Sequence, residues 1–212
     1  MALGKFITFE GGEGSGKSTQ SKLLVEYLQE QGIDVTHTRE PGGTEGAEAI
    51  RSLLVNGEPG RWDSVTEVLL LAAARRDHVM RKIRPSLEAG TWVICDRYVH
   101  STIAYQGYGH GLGLDFITMI SNITIGHVLP CVTFFLDIDP MDGLKRAHSR
   151  NTGEDRFENM DISFHETLQR GFRTMAEAEP ERMVSIDASQ SIESIQHQIR
   201  DTVNQKFNLG SN

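Results

Sequence analysis

The chain has 212 residues, of which 24% are charged and 38% hydrophobic, and a formal net charge of −8. That length suits one domain with a large core, and the composition is that of an ordinary soluble globule. The acidic balance argues against a protein that coats nucleic acid, so a site for an anionic ligand must gather its positive charge locally. Arginines outnumber lysines 15 to 6, and guanidinium groups suit bidentate phosphate contacts. The longest wholly apolar run, Val68 to Ala74, is too short to cross a bilayer, so no membrane partner is expected. Met1 to Lys5 leads almost at once into a strand pattern, which leaves no room for a signal peptide. Cys95 and Cys131 both sit in apolar strand-like runs. These features predict a cytoplasmic protein with two buried thiols rather than a disulfide framework.

The first strand is expected at Phe6–Glu10. A glycine-rich stretch follows, Gly11-Gly12-Glu13-Gly14-Ser15-Gly16-Lys17-Ser18-Thr19, and then a helix over 18–31. Its spacing is glycine, any four residues, Gly-Lys-Ser, in the strand–loop–helix context of a phosphate-binding P-loop. Next come a strand at Val35–Arg39, helices over 46–55 and 65–89, and a strand at Trp92–Asp96. A helix over 114–125, a strand at Val132–Asp137 and helices over 141–149 and 163–178 follow. A last strand at Met183–Asp187 and a helix over 192–206 complete the chain, with the polar stretch Asn151 to Asp155 read as a loop. This alternation predicts an α/β protein with the P-loop NTPase fold, a five-stranded parallel sheet with helices on both faces. One domain is expected over 1–212, with no repeat or linker dividing it.

In such a sheet ligands lie beyond the carboxyl ends of the strands. The residues just after each strand are therefore the candidates, and most of those segments are charged. In the P-loop, glycines let backbone N–H groups turn toward an anion, and the next helix presents its positive end to the same group. Lys17 is placed to reach the β- and γ-phosphates of a nucleotide and Ser18 to bind Mg²⁺. The Asn-Lys-x-Asp motif that reads the base in switch GTPases is absent. Arginines recur instead at loop ends and on helices: Arg39, Arg51, Arg75, Arg97, Arg146, Arg150 and Arg156. They suit an acceptor that is itself a phosphate, which is largely ionised at neutral pH and needs no general base. Positioned cations and exclusion of water then supply the catalysis. His78, His100 and His110 are expected at the surface or on helices, without a catalytic role. Two readings beside phosphoryl transfer to a nucleoside monophosphate stay open on these residues: a different nucleotide or nucleoside kinase, and a nucleotide-binding regulatory module that hydrolyses ATP slowly or not at all.

Three further motifs, Thr38-Arg39-Glu40-Pro41-Gly42-Gly43-Thr44, Asp96-Arg97-Tyr98 with Ser101-Thr102-Ile103-Ala104-Tyr105-Gln106-Gly107, and Asp155-Arg156-Phe157-Glu158, join the P-loop in order along the chain. With them the chain resembles the thymidylate kinase family. The resemblance implies transfer of the γ-phosphoryl group of MgATP to dTMP, giving dTDP for dTTP synthesis, by a homodimer. It implies that Glu13 sits near the acceptor's 3′-hydroxyl and phosphate, and that Arg39, Pro41 and Arg97 help hold the acceptor. Asp96 would stand near Mg²⁺ or its waters. Arg51 and Arg75 would contact thymidylate, Thr102 and Gln106 would read the base, and Tyr105 would lie near C2′ of the sugar. Many relatives stack a Phe on thymine where this chain has Leu71, which favours apolar contact over aromatic stacking. The segment from about 146 to 158 resembles the lid. The P-loop has no arginine, so the resemblance implies a catalytic cation from the lid, with Arg150 the first candidate, Arg146 the second and Arg156 the third. The apolar helix from Val65 to Ala74 would serve either as dimer interface or as core.

Overall fold

The structure, a computed structural model, describes residues 3–58, 60–149 and 156–209. The five expected strands form with the expected bounds: β1 (Phe6–Glu10), β2 (Val35–Arg39), β3 (Trp92–Asp96), β4 (Val132–Asp137) and β5 (Met183–Asp187). They make one parallel sheet in the order β2-β3-β1-β4-β5. β1 is central and all five of its residues are buried, as suits a strand covered on both faces. Its polar residues are satisfied. The Thr8 and Thr133 hydroxyls meet at 2.8 Å across the β1–β4 register. Glu10 accepts from the Tyr98 backbone N–H at 2.8 Å and from Ser101 Oγ at 2.5 Å.

Side chains of a strand alternate between faces, and here each face meets its own helices. On one face Leu24 and Leu28 of α1 (Lys17–Glu30) and Ile195, Ile199 and Val203 of α9 (Ile192–Phe207) pack with Ile7, Phe9, Ile94, Phe134 and Leu136. On the other, Phe135 packs with Leu168, Phe172 and Met175 of α8 (Ile162–Ala178). Phe6, Val93 and Cys95 pack there with Val79, Ile83 and Tyr98. The remaining helices are α2 (Glu45–Val55), α3 (Ser64–His78), α4 (Arg84–Glu88), α5 (Val99–Thr102), α6 (Leu114–Ile125) and α7 (Pro140–His148). Side chains of Thr44, Asp63, Asp139 and Ser191 accept from backbone N–H groups that would otherwise be orphaned at the starts of α2, α3, α7 and α9. Among the described residues no helix is long and apolar enough to cross a membrane.

Two stretches differ from the expected helices. The run expected as one helix over 65–89 has a π-helical turn, Val79–Ile83, between α3 and α4. Pro85 lies in the first turn of α4. It has no N–H to give the carbonyl one turn back, and its ring crowds that carbonyl, so the ladder widens locally. A second π-helical stretch, Ile103–Gly109, continues α5. Cys95 is buried as expected, whereas Cys131, which precedes β4, is only partly buried; both are free thiols. His78 and His100 lie on helices, one of the two places expected for them, and both are buried. His78 Nδ1 meets the buried Glu40 carboxylate at 3.0 Å, and His100 Nδ1 lies 4.0 Å from the buried Glu10.

Candidate active site

At the carboxyl end of β1 the chain turns through the glycine-rich loop into α1. Gly14 and Gly16 adopt φ of 66° and 93°, a region side chains disfavour. Gly14 has a second constraint: a Cβ there would meet the Gly143 carbonyl oxygen of α7 at 1.9 Å. Lys17, buried at the start of α1, folds back over the loop and donates to Gly12 O at 2.7 Å and to Ser15 Oγ at 3.2 Å. Burial, together with the nearby Arg97 charge, pushes its pKa down to about 8. Ser18 Oγ donates to Asp96 Oδ2 at the end of β3. Thr19 points to solvent.

A cavity of about 280 Å³ opens beside Lys17 and Ser18. It brings together Glu13, Arg39, Pro41, Arg51, Leu71, Arg75, Asp96, Arg97, Thr102, Tyr105 and Gln106, from seven segments of the chain. Arg97 has φ of 69°, uncommon for a residue with a side chain. That turn aims its guanidinium back across the P-loop. It donates to Gly11 O at 2.9 Å, Ser101 Oγ at 3.2 Å and Glu13 Oε1 at 2.8 Å. Tyr105 OH donates to the same Glu13 oxygen at 2.6 Å, and the Arg97 guanidinium lies 5.1 Å from the Tyr105 ring centre. Burial would raise the Glu13 carboxyl, but Arg97, Lys17 and the Tyr105 hydroxyl together hold it down to about 2. Glu13 is therefore ionised at neutral pH.

The wall beyond Arg97 is built on Glu40. Its carboxylate accepts from Arg75 Nε at 2.6 Å and faces His78 Nδ1 at 3.0 Å, and His78 Nε2 lies 2.7 Å from Thr38 Oγ1. Arg75 Nη2 also donates to Tyr98 O at 3.0 Å. This chain of partners fixes Arg75 in the cavity wall. Burial would weaken the Arg75 charge, yet the Glu40 carboxylate keeps its pKa above the ordinary value. Arg76, by contrast, is exposed. Arg51 Nη1 donates to Pro41 O at 2.8 Å, in a loop that carries a cis peptide between Glu40 and Pro41. Arg39 is half exposed and pairs with Glu48 at 3.1 Å. At the far end Leu71, Val55 and Phe157 supply apolar surface, and Gln106 donates through Nε2 to Glu67 Oε1 at 2.7 Å.

The lid candidates separate. Arg150, like Asn151 to Asp155, lies outside the described residues. Arg146 Nη1 donates to Ala188 O at 3.0 Å, in the loop after β5, and does not line the cavity. Arg156, the third candidate, is 4% exposed. It is engaged by Glu67 Oε2 at 2.5 Å and by Leu54 O at 2.9 Å, so its guanidinium is an internal brace, held away from solvent by a buried carboxylate. Sequence reasoning missed Glu67, Glu40 and His78. An acid at the head of the apolar helical run Val68 to Ala74 was the available signal for Glu67; His78 lies in a charged stretch, Arg75 to Lys82, that offers no such signal, and Glu40 stands inside a motif whose neighbours carry the likeness.

A family model described as thymidylate kinase matches residues 9–199. The chain is 48% identical to a thymidylate kinase of Caulobacter vibrioides over 209 residues, 99% of this chain and 100% of that one. It is also 48% identical to a thymidylate kinase of Rhizorhabdus wittichii, over 91% of this chain and 93% of that one. A crystal structure of thymidylate kinase from Ehrlichia chaffeensis superposes with a TM-score of 0.77 at 37% identity, covering 95% of this chain and 99% of that one.

Proposed function

The chain belongs to the thymidylate kinase family, and from that premise we propose how its residues divide the work of moving a phosphoryl group. The reaction is conversion of dTMP to dTDP at the expense of ATP. The observation that carries the division is the position of Glu13, which sits in the donor's loop yet is held by Arg97 and Tyr105 of the acceptor wall. ATP phosphates lie in the turn from Gly11 to Thr19, against its inward N–H groups and Lys17. The dTMP phosphate lies between Arg97 and Arg39. The Arg39–Glu48 pair is exposed and weak, so it exchanges readily for phosphate. Glu13, ionised, accepts from the sugar 3′-hydroxyl. Tyr105 packs against the sugar, Leu71 against the base with Pro41 and Arg51 beside it, and Gln106, Thr102 and Arg75 meet the base edge.

The acceptor phosphate is an anion already, so no residue has to remove a proton from it. The catalytic task is to hold two anions in line while cations take up the charge of the transfer. Lys17 and Arg97 do so from the body of the protein. Arg150 does so from the lid at 146–158, and Arg146 braces the lid helix against the loop beside adenine. Ser18 and Asp96 fit Mg²⁺: a hydroxyl and a carboxylate oxygen in contact are hard donors of the kind Mg²⁺ takes alongside phosphate oxygens. When bound, the metal neutralises charge on the donor phosphates.

We further read residues 1–212 as one catalytic domain, acting in the cytoplasm as a homodimer. The two free thiols favour a reducing compartment. The neighbouring helices α3 and α6 expose Val65, Leu69, Met119 and Ile123, an apolar face that suits a second copy. The reaction is tested by incubating the purified chain with ATP, Mg²⁺ and a panel of monophosphates. The reading expects one ADP and one dTDP per dTMP consumed. Activity with CMP or UMP and none with dTMP would overturn it, as would ATP turnover that no acceptor stimulates.

A further inference from the structure

Glu67 has a role that neither the P-loop nor the arginines account for. Its side chain is 1% exposed and stands where three segments meet. It projects from α3 and accepts from Gln106 Nε2 at 2.7 Å and from Arg156 Nη2 at 2.5 Å. His110 Nε2 approaches Glu67 Oε1 at 3.4 Å. Burial would raise the Glu67 carboxyl, but His110, Gln106 and Arg156 hold it below the ordinary carboxylate range.

An ionised carboxylate can only accept. The Gln106 amide must therefore turn its NH₂ group to Glu67, which leaves its carbonyl without that partner on a residue that lines the cleft. That carbonyl oxygen is buried and has no protein partner. Arg75 lies in the same cavity and, being a guanidinium, can only donate. Beside the Thr102 hydroxyl, which can donate or accept, the base pocket therefore presents one fixed acceptor and one fixed donor. We propose that Glu67 is a positioning residue for base selectivity: by fixing the Gln106 amide, it makes the pocket require a ring N–H donor beside a carbonyl acceptor. The inference rests on the reading of Gln106 and Arg75 as base contacts. Thymine and uracil supply that pair at N3–H and O4. Cytosine reverses it, setting a lone pair against the Gln106 carbonyl and an amino group against Arg75. A buried polar group left facing its like is costly enough to shift selectivity about tenfold or more. If Glu67 becomes an amide, Gln106 is free to turn, and the pocket no longer distinguishes the two edges as strongly.

The test is kcat/KM for dTMP and for dCMP, with saturating MgATP, in the wild type, Glu67→Gln, Gln106→Met and the double variant. Glu67→Gln is expected to lower the dTMP-to-dCMP ratio about tenfold, mainly through KM for dTMP, with KM for ATP unchanged. It should lower the ratio no further in the Gln106→Met background. A mere loss of stability would not move that ratio. If Gln106→Met lowers the ratio and Glu67→Gln does not, the role assigned to Glu67 is overturned. If Gln106→Met itself leaves the ratio unchanged, the reading of Gln106 as a base contact falls, and this inference with it. Should Glu67→Gln fail to fold, Glu67→Asp keeps the charge but draws it back one methylene from Gln106. The same ratio must then fall, and an unchanged ratio overturns the proposal.

Discussion

Glu13 stands between Lys17 and Arg97, and its ionisation is tied to folding. Its folded pKa of about 2 lies below the usual 4.5. A depressed carboxylate stabilises the fold fully above its unfolded pKa, and the contribution is lost as pH falls through the folded one. At neutral pH it is worth on the order of 3 kcal/mol before solvent screening, since each pKa unit is about 1.4 kcal/mol. Glu13→Gln is therefore expected to lower stability at pH 7 in urea unfolding, with the gap to the wild type closing between pH 4.5 and 2. A gap independent of pH would contradict the charge argument. Lys17 titrates in the opposite sense. Its ammonium is lost as pH rises through about 8, so kcat/KM for ATP should decline above that pH. Bound phosphates favour the ammonium, so the corresponding limb in kcat should lie at higher pH. Lys17→Ala should reduce kcat about 100-fold or more without lowering the melting temperature, because a buried cation whose pKa is pushed down opposes folding.

At the scale of elements, the donor loop is seated on α7 through two glycines. A Cβ on Gly143 would meet the Glu13 carbonyl oxygen at 2.5 Å, and one on Gly14 would meet Gly143 O. Both contacts are backbone, so neither side can yield by turning a side chain. Gly143→Ala should cost about 1–3 kcal/mol in denaturant unfolding and raise KM for ATP, although Gly143 lies on neither the P-loop nor the cavity. The elements differ in how far they were legible. The strands are legible with their bounds because each is a short run rich in apolar or β-branched residues that ends at a charged residue, as β3 ends at Asp96. The π-helical turn at Ile103–Gly109 was not, since composition and spacing carry no record of which carbonyl an N–H chooses. The same limit explains the site. Residues inside local motifs, such as Lys17, Arg97 and Gln106, were visible as candidates. The partners that hold them, Glu67 for Gln106 and Glu40 for Arg75, lie 39 and 35 residues away in sequence. Only the packing of α3 against its neighbours brings them close.

Across the whole molecule, the sheet gathers cations into one crevice while the chain as a whole carries −8. Lys17 and four arginines around the cavity, Arg39, Arg51, Arg75 and Arg97, let an acidic protein attract anionic nucleotides. The apolar face of α3 and α6 is the other large-scale feature. Leu69 is 51% exposed and Ile123 67% exposed. Leu69→Glu combined with Ile123→Glu should convert a dimer to monomers in sedimentation velocity. A wild type that stays monomeric at tens of micromolar would contradict the dimer.

In the proposed reading this cleft joins a donor phosphate to an acceptor that is already an anion, with cations rather than a base as its means. A comparison of dTMP with thymidine as acceptor, by ADP release under saturating MgATP, separates the two means. Rapid transfer to dTMP is expected, and with thymidine no ADP release above that seen without acceptor. Comparable phosphorylation of thymidine, which demands removal of a hydroxyl proton, would contradict that reading.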